Sequence, residues 1–364
     1  MPGNTSGAPR VWAQINGADV DSVMHANISN NGSCKSSRFE LTVSTSGNTQ
    51  ADQWLPLIAG KVTVAIYMRS RRGENGSTMF EGLADNIAID PINSTARITG
   101  RDYSSVLISS TYQDSFFNQT ASEIANSIAA RHGFVQNISP TSTMVGSYQC
   151  DGYNQVLLNA HSHITSEWDL LKSLAKTERF QLFVSGVTLN FAPAEALSRN
   201  ARSIGADNVI ALTFHKICPT SDQMALTAKS WNSWLSQALA YSDDQSADQS
   251  AFALPTLNAD PAAEVALVRP NLTSQDAERL VNQRLDALNE QSMTVQIVMP
   301  GEMSLMPGDI LFVNSGNSIA DGNYIVRSIR RQFSTTAGFI QYIQGSAMTA
   351  NSSVSLGDRI LPSG

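Results

Sequence analysis

Alternating apolar and polar residues dominate the first hundred positions of the chain. Apolar side chains fall on every second position in three runs, at 11–15, 39–43 and 62–68. A period of two is typical of a β-strand with one buried face. Two further runs, at 80–90 and 96–100, complete the set. This part of the sequence therefore predicts a small barrel or sandwich of five or six antiparallel strands.

Helical periodicity replaces the alternation after Gly100. Thr120 and Glu123 have the spacing of a capping box, and an apolar stripe follows them until Gly133. A second helix is predicted from Ser166, and a hairpin over 181–191 follows it. Two helices and a hairpin predict a small α+β domain.

β character returns at 209–214 and 224–231. Residues 236–271 are rich in Ser, Ala, Asp and Gln, and we interpret them as an acidic excursion. An amphipathic helix is predicted over 273–289. Four strands are then predicted at 293–299, 310–313, 323–326 and 338–343.

The predicted fold class is mainly β with α+β: two small β-barrel domains, an intervening α+β domain, and a helical and acidic insertion. The expected division has five parts: a first barrel at 1–104, an α+β domain at 105–195, a split second barrel at 196–235 and 290–348, the insertion at 236–289, and an extended tail at 349–364.

Composition excludes several classes of protein. A hydrophobic content of 42% supports packed cores, and a net charge of -7 argues against a dedicated nucleic-acid-binding protein. The three cysteines are scattered without C-x-x-C spacing, which fits folding in a reducing compartment. We expect no secretory signal in the first residues, no membrane-spanning helix, and folding in the cytosol.

Few residues suggest chemistry. His161 and His163, with Asp151 or Glu167, have the residue types of a metal site, but the surrounding metallo-hydrolase context is missing, so a polar loop is the default interpretation. Glycoside hydrolysis needs a pair of carboxyl groups in a cleft, and the candidate glutamates are Glu81, Glu123 and Glu178. We predict no catalytic, cofactor-binding or metal-binding residue, no cofactor and no enzymatic activity.

Two further surface features admit a binding role. The aromatic residues Trp231, Trp234 and Tyr241 are candidates for a sugar platform, although their spacing is more typical of core packing. Two basic clusters, Arg69 to Arg72 and Arg327 to Arg331, admit nucleic-acid binding, which the net charge of -7 disfavours. They are better suited to contacts with an acidic neighbour, such as the 236–271 segment of an adjacent subunit.

Three blocks together resemble a known family. Ile98 to Leu107 contains Gly-Arg-Asp-x-Ser, and Ser166 to Phe191 contains Trp-Asp-Leu-Leu followed by a strand and a Ser-Gly turn. The third block runs from Ala277 through Pro307-Gly308-Asp309 to Tyr324. In this order they are similar to the baseplate hub proteins of contractile phage tails, the late control gene D group. That group includes Mu-like and P2-like hubs and resembles the amino-terminal part of type VI secretion spikes.

The resemblance implies a structural hub in the virion tail baseplate, assembled in the host bacterial cytoplasm. Three subunits with two barrels each would form a ring that matches a six-fold tail tube and a three-fold central spike. The implied partners are other copies of the chain, the tube protein, the spike, wedge proteins of the baseplate, and DNA that only passes through. An acidic lumen that repels DNA follows as a hypothesis. A tail-associated peptidoglycan hydrolase and a host glycan-binding module remain alternatives.

Overall fold

The predicted strands and helices form where the apolar periodicity places them. The computed structural model describes residues 9–46, 60–69, 76–111, 116–142, 144–145, 148–150, 154–157, 166–197, 200–216, 226–232, 237–242, 265–268, 277–278, 280–282, 284–285, 293–316 and 321–348. The chain forms two units. The first comprises Met1–Leu212, Gln296–Leu311 and Val326–Gln344, and the second comprises Thr213–Val295, Phe312–Ile325 and Gly345–Gly364.

Three α-helices lie completely within the described residues: α1 (Ser104–Ser109), α2 (Ala121–Arg131) and α3 (Glu167–Glu178). The described positions between 277 and 285 are also helical. The strands are β1 (Arg10–Ile15), β2 (Ala18–Val20), β3 (Val23–Asn31), β4 (Arg38–Ser44), β5 (Thr63–Arg69), β6 (Ser77–Asp90), β7 (Thr95–Arg101), β8 (Phe116–Phe117), β9 (Val135–Ile138), β10 (Tyr148–Cys150), β11 (Asn154–Leu157), β12 (Phe180–Ser185), β13 (Thr188–Pro193), β14 (Ala201–Gly205), β15 (Ala211–Lys216), β16 (Leu226–Asn232), β17 (Gln237–Ser242), β18 (Val265–Val268), β19 (Met293–Pro300), β20 (Ile310–Asn314), β21 (Gly322–Ser334) and β22 (Gly338–Ala347).

One large sheet of thirteen strands organises the first unit. Its main path runs β15-β19-β22-β21-β3-β4-β7-β6-β5-β1-β2, with β14 and β20 beside it. Every strand of this sheet lies wholly or partly in the first unit. The mainly β fold class is thereby confirmed, while the closure of each barrel and the five-part division remain predictions.

The same strand arrangement occurs twice in this sheet. β3, β4, β6 and β7 come in this order along the chain, with β5 between β4 and β6, and lie in the sheet in the order β3-β4-β7-β6. β15, β19, β21 and β22 lie in the corresponding order β15-β19-β22-β21. β5 pairs with β1 and β6, just as β20 pairs with β14 and β21. The chain therefore contains two copies of one topology, which we call the first and second repeats.

Burial alternates along the strands of the first repeat. Ala13, Leu41 and Ile98 are fully inaccessible to solvent and pack in one hydrophobic core. Burying a leucine or isoleucine side chain contributes about 1.5–3 kcal/mol to stability, so this face of the sheet holds the repeat together. The opposite face carries polar side chains.

The α+β segment has its own core. The predicted capping box at the start of α2 is confirmed, because Thr120 accepts from the Glu123 amide and Glu123 accepts from the Thr120 amide. Trp168 and Leu171 of α3 pack in the core that α2 also lines. The predicted hairpin is β12–β13, and β9 adds to it in parallel. Helix α3 ends at Arg179 in the left-handed conformation, with φ 58°, where glycine is the usual residue.

Two elements depart from expectation. Strand β3 lies inside the large sheet, although none of the predicted runs covers residues 23–31. The segment expected to be an acidic excursion contributes β17 and β18, which pair with β16 in a three-stranded sheet of the second unit. The predicted tail at 349–364 lies outside the described residues.

Candidate functional site

The polar side of the large sheet is the most distinctive surface of the first unit. Residues along a strand alternate between the two faces of the sheet. In β3, β4, β7 and β21, the residues between the buried ones therefore lie on the face opposite the core. We call this surface the polar face; its residues on these four strands include His25, Asn27, Ser29, Arg38, Glu40, Thr42, Arg97, Thr99, Arg101, Ser328, Arg330 and Gln332.

Arginines meet in one row across the polar face. Arg330 lies opposite Ser29, Ser29 lies opposite Arg38, and Arg38 lies opposite Arg101. We call these four residues the arginine row. A depression in the sheet surface runs beside it, lined by Asn27, Ser29, Arg38, Phe39, Glu40, Asp85, Thr99, Gly100 and Arg101.

The arginines of the polar face differ in how their charge is balanced. Arg101 binds Asp85 through two hydrogen bonds of 2.7 and 2.9 Å, and this carboxylate raises the pKa of Arg101. Arg97 forms an ion pair of 2.7 Å with Glu40. Arg38 is exposed and has no hydrogen-bond or ion-pair partner among the described residues. Arg330 donates to the Asn27 amide oxygen at 3.2 Å and lies 5.5 Å from the centre of the Tyr342 ring.

The basic cluster predicted at 327–331 is not one patch. Arg330 points to the polar face, whereas its neighbour Arg331 is 1% exposed on the core side. Arg331 donates to the main-chain oxygens of Glu302, at 3.1 Å, and Leu305, and to Asn30 at 3.3 Å. Burial lowers the pKa of Arg331 to about 10. Its role is to hold the 301–309 segment against the sheet.

In the Gly100-Arg101-Asp102 segment, Gly100 and Asp102 have structural roles. A Cβ on Gly100 would lie 2.0 Å from the Leu83 carbonyl oxygen, so the strands approach too closely for a larger residue. Asp102 is buried and accepts from the Ser37 amide at 2.7 Å, the Ser36 hydroxyl at 2.9 Å and the Ser104 hydroxyl. Burial raises the pKa of Asp102. The segment therefore fixes the end of β7 and the start of α1.

Strands β2, β6, β14 and β15 each have an edge without a described partner. Strand β6 pairs with β5 only up to Leu83, and from Asn86 to Asp90 its described partner is β7 alone. At one end of the path, β15 has β19 as its single neighbour in the sheet. Unpaired strand edges present rows of free N–H and C=O groups that favour pairing with another chain.

The predicted metal site finds no support in the described residues. His161, His163 and Asp151 lie outside them, and Glu167 is 2% exposed and bound to Arg131 at 2.6 Å and to His132. Within the described part of the chain, no three His, Cys, Asp or Glu side chains are grouped closely enough to hold a metal ion.

The glutamates considered for hydrolysis occupy separate elements. Glu123 completes the cap of α2, Glu178 is the last residue of α3, and the half-buried Glu81 on β6 lies beside Gly186. Trp234 and the side chains of Trp231 and Tyr241 lie outside what the structure describes, as do residues 70–72 of the other basic cluster. No described helix is long and apolar enough to span a membrane.

Sequence reasoning missed the arginine row. Arg38 and Arg101 stand far apart in the chain from Arg330, and only the pairing of β3 with β4 and β21 brings them together. The available signal was strand periodicity, which places Arg38, Glu40 and Thr42 on the side opposite Phe39 and Leu41.

Comparison with solved structures places the fold among phage tail proteins and type VI secretion components. The chain is similar to the 43 kDa tail protein of prophage MuSo2 from Shewanella oneidensis, with 14% identity, 93% of this chain and 98% of that chain covered, and a TM-score of 0.68. A tail protein of Neisseria meningitidis MC58 matches with 11% identity, 93% and 96% coverage and a TM-score of 0.68.

A more distant match links the fold to secretion. An E. coli component of the type VI secretion system, itself similar in structure to the phage T4 tail proteins gp27 and gp5, has 8% identity, 93% and 77% coverage and a TM-score of 0.59. No protein-family model and no curated protein matches the sequence. The resemblance to tail hub proteins is thus confirmed as a likeness of fold.

Proposed function

We propose that this protein is a structural baseplate hub of a contractile phage tail and forms a homotrimeric ring. The observation that carries the proposal is the repeated strand order of the large sheet. With two repeats of one topology in each chain, a trimer contains six similar repeats. One face of such a ring can then match a six-fold tube while its subunits keep the three-fold symmetry of a spike.

The junction inside the chain indicates how the ring closes. β21, the third strand of the second repeat, pairs in antiparallel fashion with β3, the first strand of the first repeat. The corresponding strands that remain open are β6, from Asn86 to Asp90, and β15. If the β6 edge of one copy pairs with β15 of the next copy, the contact between subunits has the same strand arrangement as the β21–β3 junction inside the chain. Such a head-to-tail contact generates a ring when its rotation closes.

The polar face then lines the central passage, and the apolar cores lie behind it. The partners are the tail tube protein, the central spike, other baseplate proteins, and DNA that passes through the ring. The similarity in fold to tail proteins and to a type VI secretion component supports this assignment. Assembly takes place in the bacterial cytoplasm, and the finished protein resides in the virion.

The first test is the solution mass of the purified chain by light scattering coupled to size exclusion. The chain has a mass of 39.2 kDa, and the proposal expects three times this value. A chain that stays monomeric both alone and after mixing with tube and spike proteins contradicts the ring.

The β6 edge is tested by Ile89→Lys. Ile89 is half-buried and packs against the core of the first repeat, so in a free monomer the new lysine can reach solvent past the open edge. A neighbouring strand would bury that charge, and we expect the variant to lose its trimer. Ile138→Lys, at a half-buried position of the other core, is the matched control and should keep the trimer. A trimeric Ile89→Lys protein would contradict pairing at this edge.

A peptidoglycan hydrolase and a glycan-binding module are less well supported. The three candidate glutamates, Glu123, Glu178 and Glu81, serve as helix cap, helix end and strand residue on different elements. Neither activity has a described residue group that favours it.

A further inference from the structure

We propose that the arginine row is a contact site for the phosphate groups of a single nucleic-acid strand. The proposal goes beyond the hub function, because a ring that only lets DNA pass needs no phosphate-binding residues. It also replaces the hypothesis of an acidic passage. On the four strands of the polar face and the adjoining Asp85, four arginines stand against two carboxylates.

The charges that remain after pairing are positive. Glu40 and Asp85 are committed to Arg97 and Arg101. The contacts of Arg330 are an amide oxygen and an aromatic ring, which leave its charge unbalanced. Arg38 is exposed without a described partner and faces Arg101, another arginine, directly across the strands. Because Asp85 balances Arg101, the free positive charges of the row are those of Arg38 and Arg330.

The site has room and suitable donors. Ser29 stands between Arg330 and Arg38 in the row. The backbones of the two arginines are therefore two strand spacings, or about 9.6 Å, apart. Its small side chain leaves space above the sheet, and both guanidinium groups are long enough to converge there. The Asn27 amide, the Ser29 hydroxyl and the Thr99 hydroxyl border the same depression. Guanidinium groups bind phosphate oxygens in a bidentate manner.

Tyr342 favours a nucleic acid over an acidic peptide. Its ring is 39% exposed at the end of the row beside Arg330. Proteins that hold single strands without sequence preference combine a basic track with aromatic rings on which bases stack. An acidic peptide has carboxylates for the arginines but no flat group for the ring. The row therefore matches alternating phosphates and bases.

The experiment measures fluorescence anisotropy of a labelled thymidylate 30-mer with the full chain at several salt concentrations. We expect binding that weakens as salt rises. Arg38→Ala combined with Arg330→Ala should bind roughly 10- to 100-fold more weakly at 50 mM salt and lower the salt slope by about 1.4, since each phosphate contact on a single strand contributes about 0.7. The matched control is Arg10→Ala with Lys61→Ala, which removes two exposed positive charges elsewhere in the first unit.

Three results would overturn the proposal: no salt-dependent binding by the unaltered chain, an equal loss in the control, or equally strong competition by polyglutamate at matched charge. Circular dichroism of both double variants checks that they fold. Light scattering on the same samples separates this proposal from the ring. A trimer that does not bind refutes the phosphate site alone, and a monomer that binds through the row refutes the ring alone.

Discussion

Replacing Arg331 with methionine tests whether a buried charge holds the 301–309 segment in place. The guanidinium group satisfies two main-chain oxygens, those of Glu302 and Leu305, and the Asn30 amide oxygen. Each buried acceptor left without a partner costs about 1–3 kcal/mol. Methionine offsets part of this loss because burying its side chain carries no cost of removing a charge from water. The net cost should therefore be about 3 kcal/mol, expressed locally.

Hydrogen exchange followed by mass spectrometry is the suitable assay, because it locates the loss without assuming that both units unfold together. We expect amides in 301–309 to exchange about a hundredfold faster in Arg331→Met, since about 1.4 kcal/mol corresponds to a factor of ten. Arg330→Met is the control. It removes a neighbouring arginine whose contacts are one amide and one ring, so its cost should stay within about 1 kcal/mol. Equal protection of 301–309 in the two variants would refute the reasoning.

Three more variants probe other positions. Because burial raises the pKa of Asp102, the folded chain binds this proton more tightly than the unfolded chain does. The stabilisation that the protonated carboxyl provides is complete below pH 3.8 and is lost as pH rises through the folded-state pKa. Asp102→Asn removes this titration. The unfolding free energy of the variant, relative to the unaltered chain, should therefore increase with pH in acid titrations, and a constant difference would contradict this. Gly100→Ala should destabilise by about 1–3 kcal/mol in urea unfolding because its Cβ meets the Leu83 carbonyl oxygen, whereas Gly205→Ala, which meets nothing within 4 Å, should change little. Glu167→Gln should lower the melting temperature, at a cost of about 1–3 kcal/mol, because Arg131 and His132 lose a buried anion; an unchanged melting temperature would show that these pairs contribute nothing.

Local patterns were sufficient for most elements of the fold. Neighbouring residues alone specify the capping box at Thr120, the alternation from Val11 to Ile15 and the hairpin at 180–193. Each of these elements formed as predicted. These signals depend on short-range hydrogen bonds and on the burial of one face, which a single segment can specify.

Strand β3 shows where local reasoning ends. Its last residues, Asn30 and Asn31, have the composition of a turn, yet they pair with Ile329 and Ser328 about three hundred positions later. No segment contains the information for that pairing. The separation of Arg330 from Arg331 is different, because strand periodicity alone places neighbours on opposite faces. The prediction of one surface cluster that contains both is therefore wrong for a reason visible in the sequence.

The connection between the first two strands differs between the two repeats. In the first repeat a few residues, from Gly32 to Ser37, connect β3 to β4, whereas the equivalent strands β15 and β19 are connected by all the residues from 217 to 292. Closing a loop costs entropy that grows only slowly with its length, and β15 and β19 remain neighbours in the sheet. This connection is therefore a position at which residues can be inserted or removed without disturbing the pairing of β15 with β19. A cargo domain could be grafted there, or the whole stretch shortened to a turn, while the sheet keeps its architecture.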